Sequence, residues 1–215
     1  MAKTLIFIGQ ARPIVTKTNV ILSELIHCDH YLFELINTHC QSGFLDWLMP
    51  WWRNKLFWIP LYVFIASFLW LNVGRRGVGI VVFALITIGV ADLSSSKGIK
   101  PLVQRVRPCQ SERMNPPVRV LVSCGSGYSF PSSHATNHFA LAVFLTWLIP
   151  ATYRWCRWLL LFWAASISFG QVYVGVHYPI DILAGALLGS IIGTSVALVY
   201  LQFLGGQTKK SSEIS

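Results

Sequence analysis

Three polar clusters interrupt an otherwise apolar chain, and each holds residue types suited to handling phosphate. Pro131-Ser132-Ser133-His134 sits where a basic loop ends and a long apolar run begins. Proline suits the first turn of a helix, where its missing N–H would be unpaired in any case. Ser132 and Ser133 then fall where free backbone N–H groups and the positive end of a helix dipole meet an anion. His134 follows in the same turn and can carry a proton near neutral pH. In the second cluster, Lys100 and Arg107 bring positive charge to phosphoryl oxygens. In the third, His177 and Asp181 are four residues apart at a helix start. The carboxylate can hold one imidazole nitrogen and leave the other free to attack phosphorus. Plainer readings stand beside these: a capped helix start with an incidental histidine, a basic membrane flank, and an interfacial capping histidine.

The elements that must position these groups are apolar helices. Only 12% of the residues are charged, against about 25% in a soluble domain, and long apolar runs fill the difference. An all-α integral membrane protein follows, a bundle of about five to six transmembrane helices. Spans are expected at about 56–73, 78–96, 132–149, 158–172 and 179–204. Gly185, Gly189 and Gly193 recur every four residues in the last of these, a face that permits close helix approach. The net charge of +9 is segregated into loops, which suits anionic headgroups or phosphates and disfavours nucleic acid. The loop from Lys97 to Arg119 holds most of the cations near the motifs, Arg105 and Arg113 among them, with Glu112 as its acid.

Residues 1–52 read as an N-terminal tail and an interfacial amphipathic segment, 53–205 as the membrane domain, and 206–215 as a polar tail. The first part, 1–27, is expected to be a tail, and the acids and amides within 28–52 suit helices lying at the interface rather than a span. No signal peptide is evident. The positive-inside rule places 74–77 and 150–157 on the cytoplasmic side and the motif-bearing loops on the other. Cys109 and Cys124 share one loop, where an oxidising compartment would allow a disulfide. His27, Cys28, His30, His39 and Cys40 match no common metal-site spacing. Asp92, Ser96 and Lys100 recur every four residues on one helix face, with Asp92 read as a packing residue. His138 and Asn137 are read as packing or supporting residues. Acids are too scarce near the motifs for a Mg²⁺ or two-metal hydrolase, and no cofactor is expected.

Together the motifs resemble the type 2 phosphatidic acid phosphatase superfamily, membrane lipid phosphatases related to vanadium haloperoxidases. That family shows K-x6-R-P, then P-S-G-H, then S-R-x5-H-x3-D. This chain has Lys100-x6-Arg107-Pro108 in full, Pro131-Ser132-Ser133-His134 with serine for glycine, and Gly170-Gln171-x5-His177-x3-Asp181 with glycine and glutamine for serine and arginine. The resemblance spans roughly 55–204 and implies a metal-independent mechanism. His177, oriented by Asp181, would become a phosphohistidine, and His134 would protonate the leaving oxygen. Lys100, Arg107, Ser132, Ser133 and Gln171 would bind phosphate, with Arg105 a candidate to replace the charge missing at 171. Bacterial undecaprenyl-diphosphate and lipid A 1-phosphate phosphatases are similar proteins. They imply an anionic phospholipid or polyprenyl diphosphate substrate and a site on the outer face of the bacterial inner membrane. Undecaprenyl diphosphate is the favoured substrate, and phosphatidylglycerol phosphate is another candidate. A lipid-to-lipid phosphotransferase and a non-catalytic lipid-binding protein remain alternatives, the latter supported only by Gln171.

Overall fold

The computed structural model describes residues 17–111 and 116–212, with side chains described within 20–111 and 116–203. Glu112 and Arg113, the remainder of the N-terminal tail and the last residues of the polar tail lie outside that range. Among the described residues the chain is all-helical, without strands. Its main helices are α1 (Lys17–Glu34), α2 (Gly43–Trp52), α3 (Lys55–Val73), α4 (Arg75–Leu93), α5 (Lys100–Val103), α6 (Ser133–Leu148), α7 (Arg154–Tyr173) and α8 (Pro179–Ser212). The expected tail over 1–27 is thus helical from Lys17 onward.

Among the described residues three stretches are long and apolar enough to cross a membrane: Lys55–Val73, Arg75–Val103 and Pro179–Phe203. Large apolar side chains on them, such as Phe64, Leu71, Leu85 and Leu187, are exposed, as contact with lipid tails requires. α6 and α7 occupy the third and fourth expected spans. α6 has only 16 residues, about 24 Å of helix against a hydrocarbon core of about 30 Å. α7 carries Arg154, Arg157 and Gln171. These two helices carry site residues, and that polarity lowers their apolar character.

The glycine face of α8 lies against α6. A Cβ added at Gly185, Gly189 or Gly193 would lie under 3.0 Å from the backbone oxygen of Ser132, Thr136 or Ala140 respectively. The four-residue spacing on one helix therefore meets the four-residue spacing of carbonyls on the other, and only hydrogen fits between them.

α4 continues through a π-helical turn, Ser94–Ile99, into α5. The extra residue in that turn breaks the α-helical register. Ser96 stays on the face of Asp92 as its four-residue spacing predicts, its Oγ donating to Asp92 Oδ2 at 3.4 Å, while Asp92 lines one cavity and Ser96 and Lys100 another.

The N-terminal helices are tied to the loops by polar contacts. Arg119 forms a paired salt bridge with Asp46 on α2, which also accepts from Tyr173 Oη. Asn37 donates to the carbonyls of Arg119 and Tyr173 and accepts from Arg119 N. The turn 174–178 needs Gly175, whose φ is +86° and whose missing side chain leaves room for the Arg119 carbonyl. Cys109 and Cys124 form a disulfide across the loop that leads to α6.

Candidate active site

His177 lies at the end of the 174–178 turn, just before α8 starts at Pro179. It is 2% exposed, yet its ring lines a cavity of about 420 Å³. Its Nδ1 faces Asp181 Oδ2 at 3.4 Å, and its Nε2 faces Arg107 Nη1 at 3.4 Å. A guanidinium can only donate, so Nε2 is the acceptor and the ring proton sits on Nδ1 toward Asp181. Burial pushes the His177 pKa down to about 4, against the raising influence of Asp181. At neutral pH the imidazole is uncharged, with the Nε2 lone pair directed toward Arg107.

The cavity wall around Nε2 is cationic. Lys100, Arg107 and Arg53 line it together with His134, Ser133 and the Gly125–Tyr128 loop. Lys100 Nζ donates to the Tyr128 carbonyl at 2.8 Å. Arg107 Nε donates to the Gly127 carbonyl at 3.0 Å, and its Nη1 to the Val176 carbonyl at 3.3 Å. Arg53 Nε and Nη2 both donate to Gln171 Oε1, at 3.1 and 2.9 Å. None of these three cations has a carboxylate partner among the described residues. Burial and the nearby charge of Arg107 push Arg53 down to about 10, and burial lowers Arg107 as well. Such crowding of half-buried positive charge favours an anion between the side chains.

Behind the imidazole the pattern reverses. Arg105, the candidate replacement for charge at 171, does not line the cavity. Its Nη1 donates to Asp181 Oδ1 at 2.7 Å and its Nη2 to Asp29 Oδ2 at 2.5 Å. Its guanidinium lies 4.0 Å from the centre of the Tyr178 ring. Burial opposes its charge, but the carboxylates of Asp181 and Asp29 overcome this and raise its pKa. Asp29, fully buried on α1, also accepts from Ile180 N at 2.8 Å, and Asp181 Oδ2 accepts from Tyr178 N at 2.9 Å. These carboxylates satisfy N–H groups at the start of α8 that have no partner within the helix.

Ser132 is the N-cap of α6, its Oγ accepting from Ala135 N, and its own N–H donates to the Asp181 carbonyl. Pro131 therefore precedes the cap rather than occupying the first helical turn. Ser132 is fully buried and absent from the cavity wall, whereas Ser133 and His134 line it. Ser95 Oγ donates to Ser133 Oγ at 3.1 Å. His138 Nδ1 lies 2.7 Å from the His134 carbonyl, so it carries the proton and donates, and its ring packs edge-on to Trp163.

The three motifs, far apart in sequence, thus meet at one cavity. Sequence reading missed Arg53 and Asp29. Arg53 resembled an ordinary charge flanking a span, and Asp29 stood in a segment with no motif. The one available signal for Arg53 was the uncharged residue at 171, which called for a cation from elsewhere. No group of three or more His, Cys, Asp or Glu residues suited to a metal ion occurs among the described residues.

A membrane helix bundle with this cationic, histidine-bearing cavity defines a phosphate-handling membrane enzyme. Residues 77–205 match the model of the PAP2 superfamily, and the chain belongs to that family as a PAP2-type lipid phosphatase. It is 36% identical over 163 residues to a lipid A 4'-phosphatase of Bacteroides thetaiotaomicron, covering 71% of this chain and 68% of that one. It is 32% identical over 164 residues to an undecaprenyl-diphosphatase of Sulfolobus acidocaldarius, covering 75% and 73%. Its fold is similar to the crystal structure of a PAP2-type phosphatidylglycerolphosphate phosphatase from Bacillus subtilis. The TM-score is 0.63 at 22% identity, over 82% of this chain and 89% of the other.

Proposed function

We propose that this protein removes a terminal phosphate from an anionic membrane lipid by way of a phosphohistidine at His177. The observation that carries the reading is the neutral imidazole in a cavity lined by three cations without carboxylate partners among the described residues. Nε2 attacks phosphorus and the bond from phosphorus to the lipid oxygen breaks. His134 gives its proton to that oxygen. Asp181 stabilises the positive charge that the ring acquires. Arg53, Lys100 and Arg107 neutralise the non-bridging oxygens through the transition state. Water then attacks the phosphohistidine as His134 takes its proton, releasing phosphate and freeing Nε2. No step calls on a metal.

The substrate class is a lipid phosphomonoester or diphosphate, and relatives named for lipid A and for undecaprenyl diphosphate support both. The cavity opens on the side opposite the cytoplasmic loops in this reading, toward the periplasm or exterior of a bacterial inner membrane. Arg75, Arg76, Arg154 and Arg157 at the other ends of the helices support that orientation, as does a disulfide on the loop beside the site.

The test is phosphate release by the purified protein in detergent with EDTA present, from undecaprenyl diphosphate, lipid A, phosphatidylglycerol phosphate and phosphatidic acid. Wild type should release phosphate and form an acid-labile phosphoenzyme, and His177→Ala should do neither. Release that survives His177→Ala, or that requires added Mg²⁺ or Zn²⁺, would refute this mechanism.

A further inference from the structure

We infer that a second cavity beyond His134 seats the leaving group, and that its wall selects a sugar or polyol over a second phosphate. This rests on the phosphatase reading above. The second cavity has a volume of about 530 Å³ and shares Arg53, Ser133 and His134 with the first. His177 lines only the first cavity, whereas His134 lines both. In phosphoryl transfer the attacking and leaving atoms lie roughly in line on opposite sides of phosphorus. With His177 as nucleophile and His134 as proton donor, the leaving oxygen lies at His134, and the group attached to it continues into the second cavity.

The chemistry of that wall differs from the phosphate cavity. Among the described residues no acid lines the first cavity, but Asp92 lines the second. Asp92 is exposed, stands on an apolar spanning helix and has no cationic partner among the described residues. An ionisable side chain in such a place points to a functional contact. Its Oδ1 accepts from Asn137 Nδ2 at 3.2 Å. That bond fixes the Asn137 amide, whose buried Oδ1 then has no partner. Asp92, exposed and oriented by Asn137, offers the carboxylate acceptor on this wall, its Oδ2 also receiving Ser96 Oγ at 3.4 Å. A second phosphate, itself acceptor-only when ionised, would meet a carboxylate of like charge. A hydroxyl or amide N–H on the leaving group would instead donate to it. Of the two cations on this wall, Arg53 is held by Gln171 and also lines the phosphate cavity, and Lys55 is exposed.

Full-length protein in detergent, wild type and Asp92→Asn, is assayed on an acylated glucosamine phosphate, undecaprenyl diphosphate and phosphatidic acid. Phosphatidic acid has no free hydroxyl or amide on its leaving group and so has no donor for Asp92. Wild type should favour the sugar phosphate over the diphosphate. Asp92→Asn should lower kcat/KM on the sugar phosphate about 10- to 100-fold, the range of a lost charged hydrogen bond. Phosphatidic acid should change less than about twofold, and diphosphate hydrolysis should rise as the like-charge repulsion is removed. Equal losses on all three lipids, or a wild-type preference for the diphosphate, would overturn the inference while leaving the phosphatase reading intact. Release from none of the three by folded protein would overturn both. Asn137→Ala provides a second variant, with the same substrate-selective loss expected and a uniform loss contradicting it.

Discussion

On the cavity side of His177, Arg53, Lys100 and Arg107 are held by neutral oxygens: a glutamine amide and the carbonyls of Tyr128, Gly127 and Val176. On the far side, Arg105 is held by two carboxylates, Asp29 and Asp181. Both sides contain half-buried arginines, yet their electrostatics are opposite. Carbonyl partners orient a guanidinium without cancelling its charge, which remains available to an anion. Carboxylate partners cancel it. One cation shared between two acids leaves the far side with net negative charge beside Nδ1, where the ring would become positive in the proposed phosphoryl transfer. Arg105 is therefore suited to orienting Asp181, and Arg53 to meeting phosphate.

The largest effect should come from breaking the cavity side. Arg53→Ala should cost about 10²- to 10³-fold in kcat, the range for loss of one preorganised donor. Gln171→Leu should cost nearly as much, because it frees Arg53 from its holder. The double variant should be little worse than either single change, since both act through one contact. Additive losses would show that Gln171 acts independently. An exchange sharpens the point. Gln171→Arg alone crowds two guanidinium groups and should lose activity. Adding Arg53→Gln should recover much of it, and failure to recover would mean that Arg53 enters from a direction position 171 cannot reproduce.

Changes on the far side should be milder. With Asp29→Asn, Arg105 pairs with Asp181 alone and offsets its charge. A loss of about tenfold in kcat is expected, about one charged hydrogen bond, with KM within about twofold. Thermal unfolding should be followed in parallel, because Asp29 also caps α8. A rise in KM with kcat unchanged would place the effect in binding and break the distinction between the two sides.

The smallest effect is on protonation. The His177 pKa, at about 4, lies below the ordinary histidine value of 6.5. The ring should stay neutral from about pH 8 to about pH 5, read by nitrogen NMR of labelled histidine, and protonate only as pH falls through about 4. Between those two values the unfolded chain takes up a proton that the folded chain does not. Stability therefore falls as pH drops from about 6.5 toward 4. Protonation of His177 near 6.5 would show that burial does not control it.

The helical membrane character and the motif residues were legible in the chain because each rests on local facts. Apolar run length reports a span, the glycine spacing of α8 reports close packing, and His177 and Asp181 lie within one turn of each other. The register of Asp92 against Lys100 was not legible, because a π-helical turn inserts a residue that no hydrophobic period announces. Ser132 was placed in the anion cradle, and the helix cap takes it instead. The partners of the arginines were the least legible. Arg53 lies 118 residues from Gln171, and Asp29 lies 76 residues from Arg105. Sequence alone fixed how many cations the chain carries near its motifs, and with it the affinity for an anion. Which cations are neutralised and which face the cavity depends on what each side chain meets across the packed helices. Only the tertiary structure decides that, because ion pairing acts over a few ångströms in space and is indifferent to distance along the chain.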